Sequence, residues 1–500
     1  MLKNLIIDCY TDEPSGLGAP PYLSVHSRYL AGALNLTHQD YEYINIDDLR
    51  HAHGENIEIN DSYNKRTINH TSAPNEVLEY LNEADIIYVV MGCFVDYNYL
   101  SCEPPTFHEV EDLLKSYRNK EIILMYALGS KIVTREELDK TLPKKLFSKV
   151  IFGNFYNYIL FNNENDYLPH YDKLKDVAIS SADIVSRIPR PLIYEIETAI
   201  GCNRKPGCKF CIESIRGINH TSRPVEDIVS EIKSLYSKGV KYFRLGRQPN
   251  FFAYYNSSPE KIEELFVKIW ENCPEIKVLH IDNVSPHNVN TTQGKRIAEI
   301  VAKYCTSGNI APFGIESFDP HVRELNNLNG SLNDIFESIE IINNVGRSIS
   351  QDGTRQFLPG INIIYGLEGQ TQNTLKYNLN SFKQILDKYY VRRIFVRNLT
   401  SPHGEQFGEN NKEGFDDFKK QIVEKFSLPM LKKVYPLNTI IMHERVEMYL
   451  NGDSILRQMG TCPERVVIKN TKLKLDDFYT IKVIGYIADR ILLGEIICKE

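Results

Sequence analysis

The strongest constraint on the fold is a regular alternation of short apolar segments and amphipathic helices between residues 190 and 400. Six segments have the length and composition of buried strands, namely 194–198, 241–245, 277–281, 311–316, 360–365 and 393–398. Between them, apolar residues recur at helical spacing, as in Val225, Ile228 and Ile232. The alternation predicts an α/β fold with a full or partial TIM-type (β/α)6 barrel, in which chemistry occurs at the C-terminal ends of the strands.

The segments on either side of this region follow different patterns. Residues 1 to about 185 alternate strand-like runs with helix-like runs, which predicts a Rossmann-like or flavodoxin-like layer with a parallel sheet. From residue 436 onward, short runs rich in Val, Ile and Tyr are separated by turns, which predicts a small all-β barrel. We therefore expect three domains: 1–185, 190–435 with a helical extension, and 436–500.

Composition limits the function classes. The formal net charge of −7 gives no global positive field that would attract nucleic acid or an anionic membrane. No run of about 18 apolar residues predicts a transmembrane helix. The first apolar run meets Asp8 and does not resemble a signal peptide. We therefore expect a cytoplasmic protein without a membrane partner.

Three of the ten cysteines are tightly grouped. Cys202, Cys208 and Cys211 lie in one loop directly after the first predicted barrel strand, whereas the other seven are scattered. Iron–sulfur clusters are held by cysteine thiolates, usually four, so three ligands leave one iron open. An open coordination position is typical of catalytic metal sites. The group therefore predicts a catalytic 4Fe-4S cluster.

The same loop carries positive charges, on Arg204, Lys205 and Lys209. We expect these charges to lower the pKa values of the thiols and to help hold an anionic cluster. The alternative is a zinc knuckle or three cysteines packed as small apolar residues. A zinc knuckle normally requires a second ligand pair, and His220 is not suitably paired.

The cysteine loop resembles the cluster motif of the radical S-adenosylmethionine (SAM) superfamily. It has the final gap of two residues and the aromatic residue, Phe210, before the last cysteine, but its first gap contains five residues instead of three. The resemblance implies that the open iron binds the methionyl part of SAM, and that one electron yields a 5′-deoxyadenosyl radical that abstracts hydrogen from a substrate. It also implies a reductant of the ferredoxin or flavodoxin type.

The resemblance also assigns SAM-binding positions at the ends of the strands. Gly246, Arg247 and Gln248 follow the second barrel strand, where the family contacts the methionyl amino group, although the family's usual Gly-Gly-Glu is absent. Glu316 ends the fourth strand at the position that contacts ribose. Asn362 lies on the glycine-containing fifth strand near adenine, and Asn398 ends the sixth strand.

The N-terminal layer resembles two attachments found in this superfamily. One is a cobalamin-binding domain. No Asp-x-His motif lies near a strand end, so the sequence is compatible with cobalamin binding but does not indicate it. The other is the N-terminal domain of tRNA methylthiotransferases, which holds a second cluster on three cysteines. Cys9 and Cys93 each follow a predicted strand as that arrangement requires, but residues 127–130 contain no third cysteine.

The C-terminal module resembles the RNA-binding TRAM barrel of the methylthiotransferases. Gly452, Arg457, Pro463 and residues 466–468 carry this resemblance. The module has nine basic and nine acidic residues, a balance that gives no strong electrostatic signature of RNA binding. A lid over the active site is an equal alternative. For the whole chain, a substrate of unknown identity, RNA modification by methylthiolation, and a non-catalytic RNA-binding protein with a structural metal all stay open.

Overall fold

A computed structural model describes residues 3–11, 18–54, 68–92, 102–127, 146–166, 170–399 and 412–500, together with residues 136, 138, 140 and 142. The chain divides into two compact units. The first comprises residues 1–197, 223–243 and 268–276, and the second comprises residues 198–222, 244–267 and 277–500. The three-domain boundaries given above stay a prediction.

The first unit contains a parallel sheet. Its strands are β1 (Asn4–Asp8), β2 (Tyr22–Leu23), β3 (Tyr41–Asn45), β4 (Ile86–Met91), β5 (Glu121–Tyr126), β6 (Lys149–Gly153), β7 (Asn165–Asp166) and β8 (Ile193–Glu197). Six of them form one sheet in the order β3-β1-β4-β5-β6-β7, with every neighbouring pair parallel. The central strands are buried along nearly their whole length, as both faces of a parallel sheet are normally covered. The predicted Rossmann-like or flavodoxin-like layer is confirmed.

Helices connect these parallel strands. Those of the first unit span Val25–Leu36, Ile46–Ala52, Val77–Glu83, Phe107–Leu114, Phe155–Phe161, Tyr171–Ser180 and Val225–Ser237. Asn45 starts one of them with a capping box, because its side chain accepts from the backbone N–H of Asp48 while the Asp48 carboxylate accepts from the N–H of Asn45. No helix in the described part of the chain is long and apolar enough to cross a membrane.

The second unit contains the cysteine loop and the strands on either side of it. They are β9 (Ala199–Ile200), β10 (Thr221–Ser222), β12 (Val278–Ile281), β13 (Asn309–Glu316), β14 (Phe357–Tyr365) and β15 (Arg393–Asn398), together with the last three residues of β11 (Tyr242–Gly246). Asp282 donates its backbone N–H to Leu245 at the end of β11, and Val284 bridges to Phe313 on β13. Strands β13, β14 and β15 form a parallel sheet in that order. The predicted mixed α/β fold with a partial barrel is confirmed.

Helices cover one side of this sheet. The second unit's helices span Ile212–Arg216, Pro286–Val289, Thr292–Tyr304, Pro320–Leu325, Leu332–Gly346, Gln372–Lys388, Lys412–Ile422 and Leu428–Val434, and the helix Pro259–Asn272 is shared between the units. Gly346 lies so close to Phe357 that an added Cβ would be 2.6 Å from the Phe357 Cβ. Since side chains alternate along a strand, Ile361 and Ile363 face the same helix layer and are fully buried. The opposite side, which we call the inner face, carries Gly314, Asn362 and Arg397.

The C-terminal module is a closed barrel. Its strands are β16 (Ile440–Leu450), β17 (Asp453–Gln458), β18 (Arg465–Ile468), β19 (Phe478–Ala488) and β20 (Ile491–Lys499), in the order β16-β17-β18-β20-β19. The predicted small all-β barrel is confirmed, although the sequence did not indicate β17. Thr461 donates its N–H to His280 Nδ1 at 3.0 Å, and Met442 donates its N–H to Asp352, which precedes β14. These contacts attach the barrel to β12 and to the segment that precedes β14.

Candidate active site at the cysteine loop

A short antiparallel pair holds the base of the cysteine loop. Strands β9 and β10 pair in register, and Cys202 bridges to Asn219 just inside them. Gly201 allows this closure, because it has a φ of +78° and a Cβ added there would lie 2.6 Å from the backbone oxygens of Ile218 and Asn219. The loop is therefore folded back on itself, with its three cysteines between two fixed ends.

Replacing Gly201 with alanine is expected to open this loop. Alanine must adopt a left-handed backbone conformation, which costs about 1–2 kcal/mol, and must also displace two backbone oxygens. We expect the iron content after anaerobic reconstitution to fall to less than about half of the wild-type value. Gly217→Ala is the matched control, since Gly217 also has a positive φ but no atom within 4 Å of its Cβ position. Equal iron contents in the two variants would contradict the expectation.

The three thiols are half-buried and bordered by hydrogen-bond donors. The Arg204 backbone N–H lies 3.4 Å from Cys202 Sγ, and the Arg204 guanidinium donates to Cys208 Sγ at 3.0 Å. Cys211 donates its backbone N–H to the Cys208 oxygen at 3.1 Å. In the described residues, no three or more His, Cys, Asp or Glu side chains are grouped closely enough for one metal ion. Three thiols in one loop are the donor set that an iron–sulfur cluster uses, with each cysteine bound to a different iron.

The expectation that the loop's positive charges lower the thiol pKa values is wrong for two of the cysteines. Burial raises the pKa of Cys208, and the Arg204 charge only partly offsets it. Burial also raises the pKa of Cys211 to about 12, with a further contribution from the Glu213 carboxylate. The sequence shows the positive charges, but only the fold shows how far the thiols are removed from water.

The additional residues in the first cysteine gap are held by Asn327, which sequence analysis missed. Asn327 Nδ2 donates to the backbone oxygens of Pro206 and Gly207, both at 2.8 Å. The Arg204 guanidinium donates in return to the Asn327 oxygen at 2.9 Å. Asn327 is more than a hundred residues away in sequence, so no local motif could identify it. The longer gap therefore forms an anchored turn.

Phe210 belongs to an apolar cluster next to the cysteines. Val322, Leu328, Leu367 and Leu399 form the buried part of this cluster, and Cys208, Phe210 and Ile364 pack against it. The cluster therefore joins the cysteine loop to residues that follow β14 and β15. Apolar surroundings also limit the access of water to one side of the loop.

At the end of β11, Gly246 and Gln248 are buried and Arg247 is half-buried. Gly246 accepts a hydrogen bond from the Thr198 N–H at 3.2 Å. Arg247 has a φ of +51°, a conformation that is uncommon outside glycine and that occurs in turns and at functional sites. Gln248 donates from Nε2 to the Leu245 oxygen at 3.3 Å, which leaves its buried Oε1 without a hydrogen-bond partner in the described residues.

Glu316 ends β13 on the inner face, also in a left-handed conformation with a φ of +62°. Its Oε1 lies over Gly314, only 2.8 Å from where a Cβ would stand. Burial raises the pKa of Glu316 to about 8, while the charges of Arg397 and Arg323 act in the opposite direction. The carboxyl group is therefore mostly protonated at pH 7 in the ligand-free protein.

Arg323 fixes the backbone around Glu316, and sequence analysis missed it as well. Its guanidinium donates to the Ile315 and Ser317 oxygens, both at 2.8 Å, on either side of Glu316. It also donates to the Gly330 oxygen at 2.7 Å. Because the Arg323 guanidinium donates its hydrogen bonds to backbone oxygens, it positions Glu316 instead of binding a ligand.

Asn362 and Asn398 lie on β14 and at the end of β15. Each has a buried Oδ1 without a hydrogen-bond partner among the described residues. Buried polar atoms are normally paired, so unpaired ones at the strand ends indicate groups that a ligand completes. Together with Gln248, they place three unpaired acceptors in the unit that holds the cysteine loop. These residues fit a polar cofactor such as SAM.

The second cluster of the methylthiotransferases, which the sequence left open for this chain, has little support in the first unit. Cys9 is buried, and burial raises its pKa well above the ordinary value. Cys102 is also buried, at 2% exposure, while Cys93 lies outside the described residues. Residue 127, which the methylthiotransferase resemblance includes in its third position, is a buried alanine.

Comparison with known proteins identifies the family of this chain. The model of the radical SAM superfamily matches residues 196–379, which include the cysteine loop and strands β11 to β14. An uncharacterised protein of Methanocaldococcus jannaschii is 34% identical over 531 aligned positions, covering 99% of this chain and 93% of that protein. The chain belongs to the radical SAM superfamily and is a radical SAM enzyme.

Two further similarities concern parts of the chain. The ribosomal protein uS12 methylthiotransferase RimO of Aquifex aeolicus is 36% identical over 162 residues, 32% of this chain and 31% of that protein. The solved structure of the apo cobalamin-dependent SAM radical enzyme OxsB shares the fold, with a TM-score of 0.53 and 12% identity, over 84% of this chain and 55% of that chain.

Proposed function

We propose that Cys202, Cys208 and Cys211 bind a 4Fe-4S cluster and that the enzyme cleaves SAM reductively to act on a substrate still to be identified. When bound, the cluster and SAM supply a hydrogen-abstracting radical at the expense of one electron from an external reductant. The observation that carries the proposal is the closed loop of three half-buried thiols in the unit that also holds unpaired acceptors at its strand ends.

The chain's own residues supply binding, orientation and exclusion of water. Arg204 donates to Cys208 Sγ and so orients this ligand. The unpaired oxygens of Gln248, Asn362 and Asn398 can each accept a hydrogen bond from an amino or hydroxyl group of SAM. Arg247 precedes Gln248 at the same strand end and has a left-handed backbone conformation.

Anaerobic reconstitution tests this proposal. The full-length protein, loaded with iron and sulfide, reduced with dithionite and incubated with SAM, should release 5′-deoxyadenosine and methionine. It should contain about four irons per chain, as one cluster requires. A ferredoxin or flavodoxin should replace dithionite, since we propose a donor of that type. Full iron loading without 5′-deoxyadenosine would count against SAM cleavage.

The affinity for SAM should depend on the ionisation of Glu316. The carboxylate accepts hydrogen bonds from the two ribose hydroxyls more strongly than the protonated acid does, and with a pKa of about 8 it forms mainly above neutral pH. We expect the dissociation constant of SAM to fall by up to about 20-fold between pH 6.5 and 8.5 in the wild type. Calorimetric titration with SAM measures this change.

Glu316→Gln provides the control for that experiment. Titration of SAM itself affects both proteins equally, so the variant should lack the additional pH dependence. The stability of the folded protein should change with pH in the opposite direction to its affinity for SAM. Because folding raises the pKa of Glu316, the folded wild type should lose stability as the pH rises from about 4.5 to 8, by at most about 1.4 kcal/mol per pH unit. Identical pH profiles of SAM binding in the two proteins would contradict a ribose-binding carboxylate.

Methylthiolation is the second candidate function, because the chain is similar to methylthiotransferases and ends in a closed β-barrel. It requires a second cluster and therefore predicts about eight irons per chain. About four irons would remove this candidate. RNA contact through Arg457 is not favoured, since Arg457 is buried and paired with Glu447. Cobalamin is not part of the proposal, and membership in an enzyme family removes the non-catalytic alternative.

A further inference from the structure

Two arginines on the inner face of β15 have no role in the proposed function. Arg393 registers with Gly360 on β14, and Arg397 registers with Ile364. Both are half-buried and flank Phe395 at alternate positions of the same strand, with guanidinium carbons 5.5 and 4.6 Å from the centre of its ring. The aromatic ring orders the two side chains without neutralising their charges.

Both guanidiniums have N–H donors without a hydrogen-bond partner among the described residues. Arg397 makes no hydrogen bond or ion pair with the described residues, and its buried Nε is unpaired. Arg393 donates from Nη1 to Cys462 Sγ at 2.8 Å, and its buried Nε is also unpaired. A guanidinium has five N–H donors, so several donors on each side chain are available for a ligand.

The nearby carboxylates already have other partners. Asp282 forms an ion pair with the buried Arg244, and Glu464 pairs with Arg392 at 2.7 Å. The remaining neighbour of Arg397 is Glu316, which lies over Gly314. Uncompensated charges that are removed from water are costly and are normally paired. The inner face of β15 therefore has an excess of positive charge.

Gly360 occupies the inner-face position opposite Arg393. A Cβ added there would lie 3.0 Å from a methyl group of Ile310 and 3.5 Å from Arg393 Cγ, so the Arg393 side chain packs across Gly360. Arg393 and Arg397 are both partly exposed, which lets a ligand reach them.

We propose that Arg393 and Arg397 bind a phosphate or carboxylate group of the substrate. This inference rests on the proposed function, since it names the chemistry that the radical SAM site selects. Guanidinium groups bind both anions through paired, charge-assisted hydrogen bonds. Four residues separate them on the strand, about 13 Å between Cα atoms, but both guanidinium carbons lie within 5.5 Å of the centre of the Phe395 ring, so the two side chains converge over that ring.

Anion titration of the full-length, anaerobically reconstituted protein tests the proposal. Inorganic phosphate and glutarate serve as probes, each titrated calorimetrically at constant ionic strength with SAM absent and with SAM saturating. We expect at least one probe to bind in the presence of SAM. Arg393→Met and Arg397→Met, which keep the length of the aliphatic chain, should each weaken that binding at least about tenfold. Arg393→Lys and Arg397→Lys retain the positive charge and should therefore recover part of the lost binding.

Arg355→Met is the matched control. Arg355 also stacks on an aromatic ring, with its guanidinium carbon 3.7 Å from the centre of Tyr390, but it precedes β14 and lies off the inner face. This variant should bind the probes within about twofold of the wild type. No probe binding by the wild type, or equal binding by all three Met variants, would overturn the proposal. Displacement of the probe by SAM would also overturn it, because the arginines would then belong to the cofactor site.

The titration and the SAM-cleavage assay distinguish a failure of the anion site from a failure of the proposed reaction. A wild-type protein that releases no 5′-deoxyadenosine but binds the probes would disprove the proposed reaction and keep the anion site. A wild-type protein that cleaves SAM but binds neither probe would disprove only the anion site.

Discussion

Serine in place of any one of Cys202, Cys208 and Cys211 is expected to abolish iron loading and SAM cleavage. Three thiolates are the minimum that holds a cluster with one open iron, and a serine hydroxyl is a poor ligand at neutral pH. We expect iron to fall from about four atoms to less than about one per chain, and 5′-deoxyadenosine to fall to background. Iron analysis and the anaerobic cleavage assay measure both quantities on the same preparation.

Cys498→Ser is the matched control for these variants. Cys498 is exposed near the C-terminus, so its replacement changes the thiol count without disturbing the core. It should keep the wild-type iron content and activity. Undiminished iron and SAM cleavage in a Cys208→Ser protein would show that the cluster is held elsewhere.

The second large effect concerns a buried ion network in the first unit. Glu231, on the helix Val225–Ser237, pairs with Arg28 at 2.7 Å and with Arg223, and all three side chains are fully buried. Although burial opposes ionisation, the charges of Arg223 and Arg28 hold the pKa of Glu231 below its ordinary value. The two arginines also donate to the Glu195 and Glu197 oxygens of β8, the strand that leads to the cysteine loop.

Replacing Glu231 with glutamine should lower the free energy of unfolding of this unit by about 3–5 kcal/mol. The change leaves two buried guanidiniums without a counter-charge, and loss of one partner of a buried pair costs about this much. The single tryptophan, Trp270, lies in the 268–276 segment of the same unit. Its fluorescence during urea unfolding therefore reports on the affected part of the molecule.

Glu226→Gln is the control on the same helix. Glu226 also pairs with a cation, Lys268, but both side chains are substantially exposed. Exposed pairs contribute about 0–1 kcal/mol, so this variant should unfold almost like the wild type. If Glu231→Gln were equally harmless, the buried network would not stabilise the unit.

Much of the fold followed from local patterns. The predicted strand at 393–398 coincides with β15, and that at 360–365 falls within β14, because apolar segments between amphipathic helices have few alternatives. Strand β17 at Asp453–Gln458 was missed, since its sequence mixes polar and apolar residues and only pairing with β16 and β18 makes it a strand. Sequence similarity and the fold place the chain in the superfamily that the cysteine spacing indicated.

The site residues also divide into those that the sequence indicates and those that only the fold reveals. Cys202, Cys208, Cys211 and Phe210 could be selected from sequence because their spacing is local. Asn327 and Arg323 could not be found, since each acts on backbone oxygens that only the folded chain brings within reach.

The sequence by itself determined most of the strands and helices and which three thiols share a loop, because periodicity and short spacing are properties of neighbouring residues. Only the tertiary structure decided how far the cysteines are buried, that burial raises the pKa of Glu316 to about 8, and that Arg397 forms no ion pair with the described residues. Ionisation and pairing depend on the distance to water and to opposite charges, and those distances are set by residues far apart in the chain.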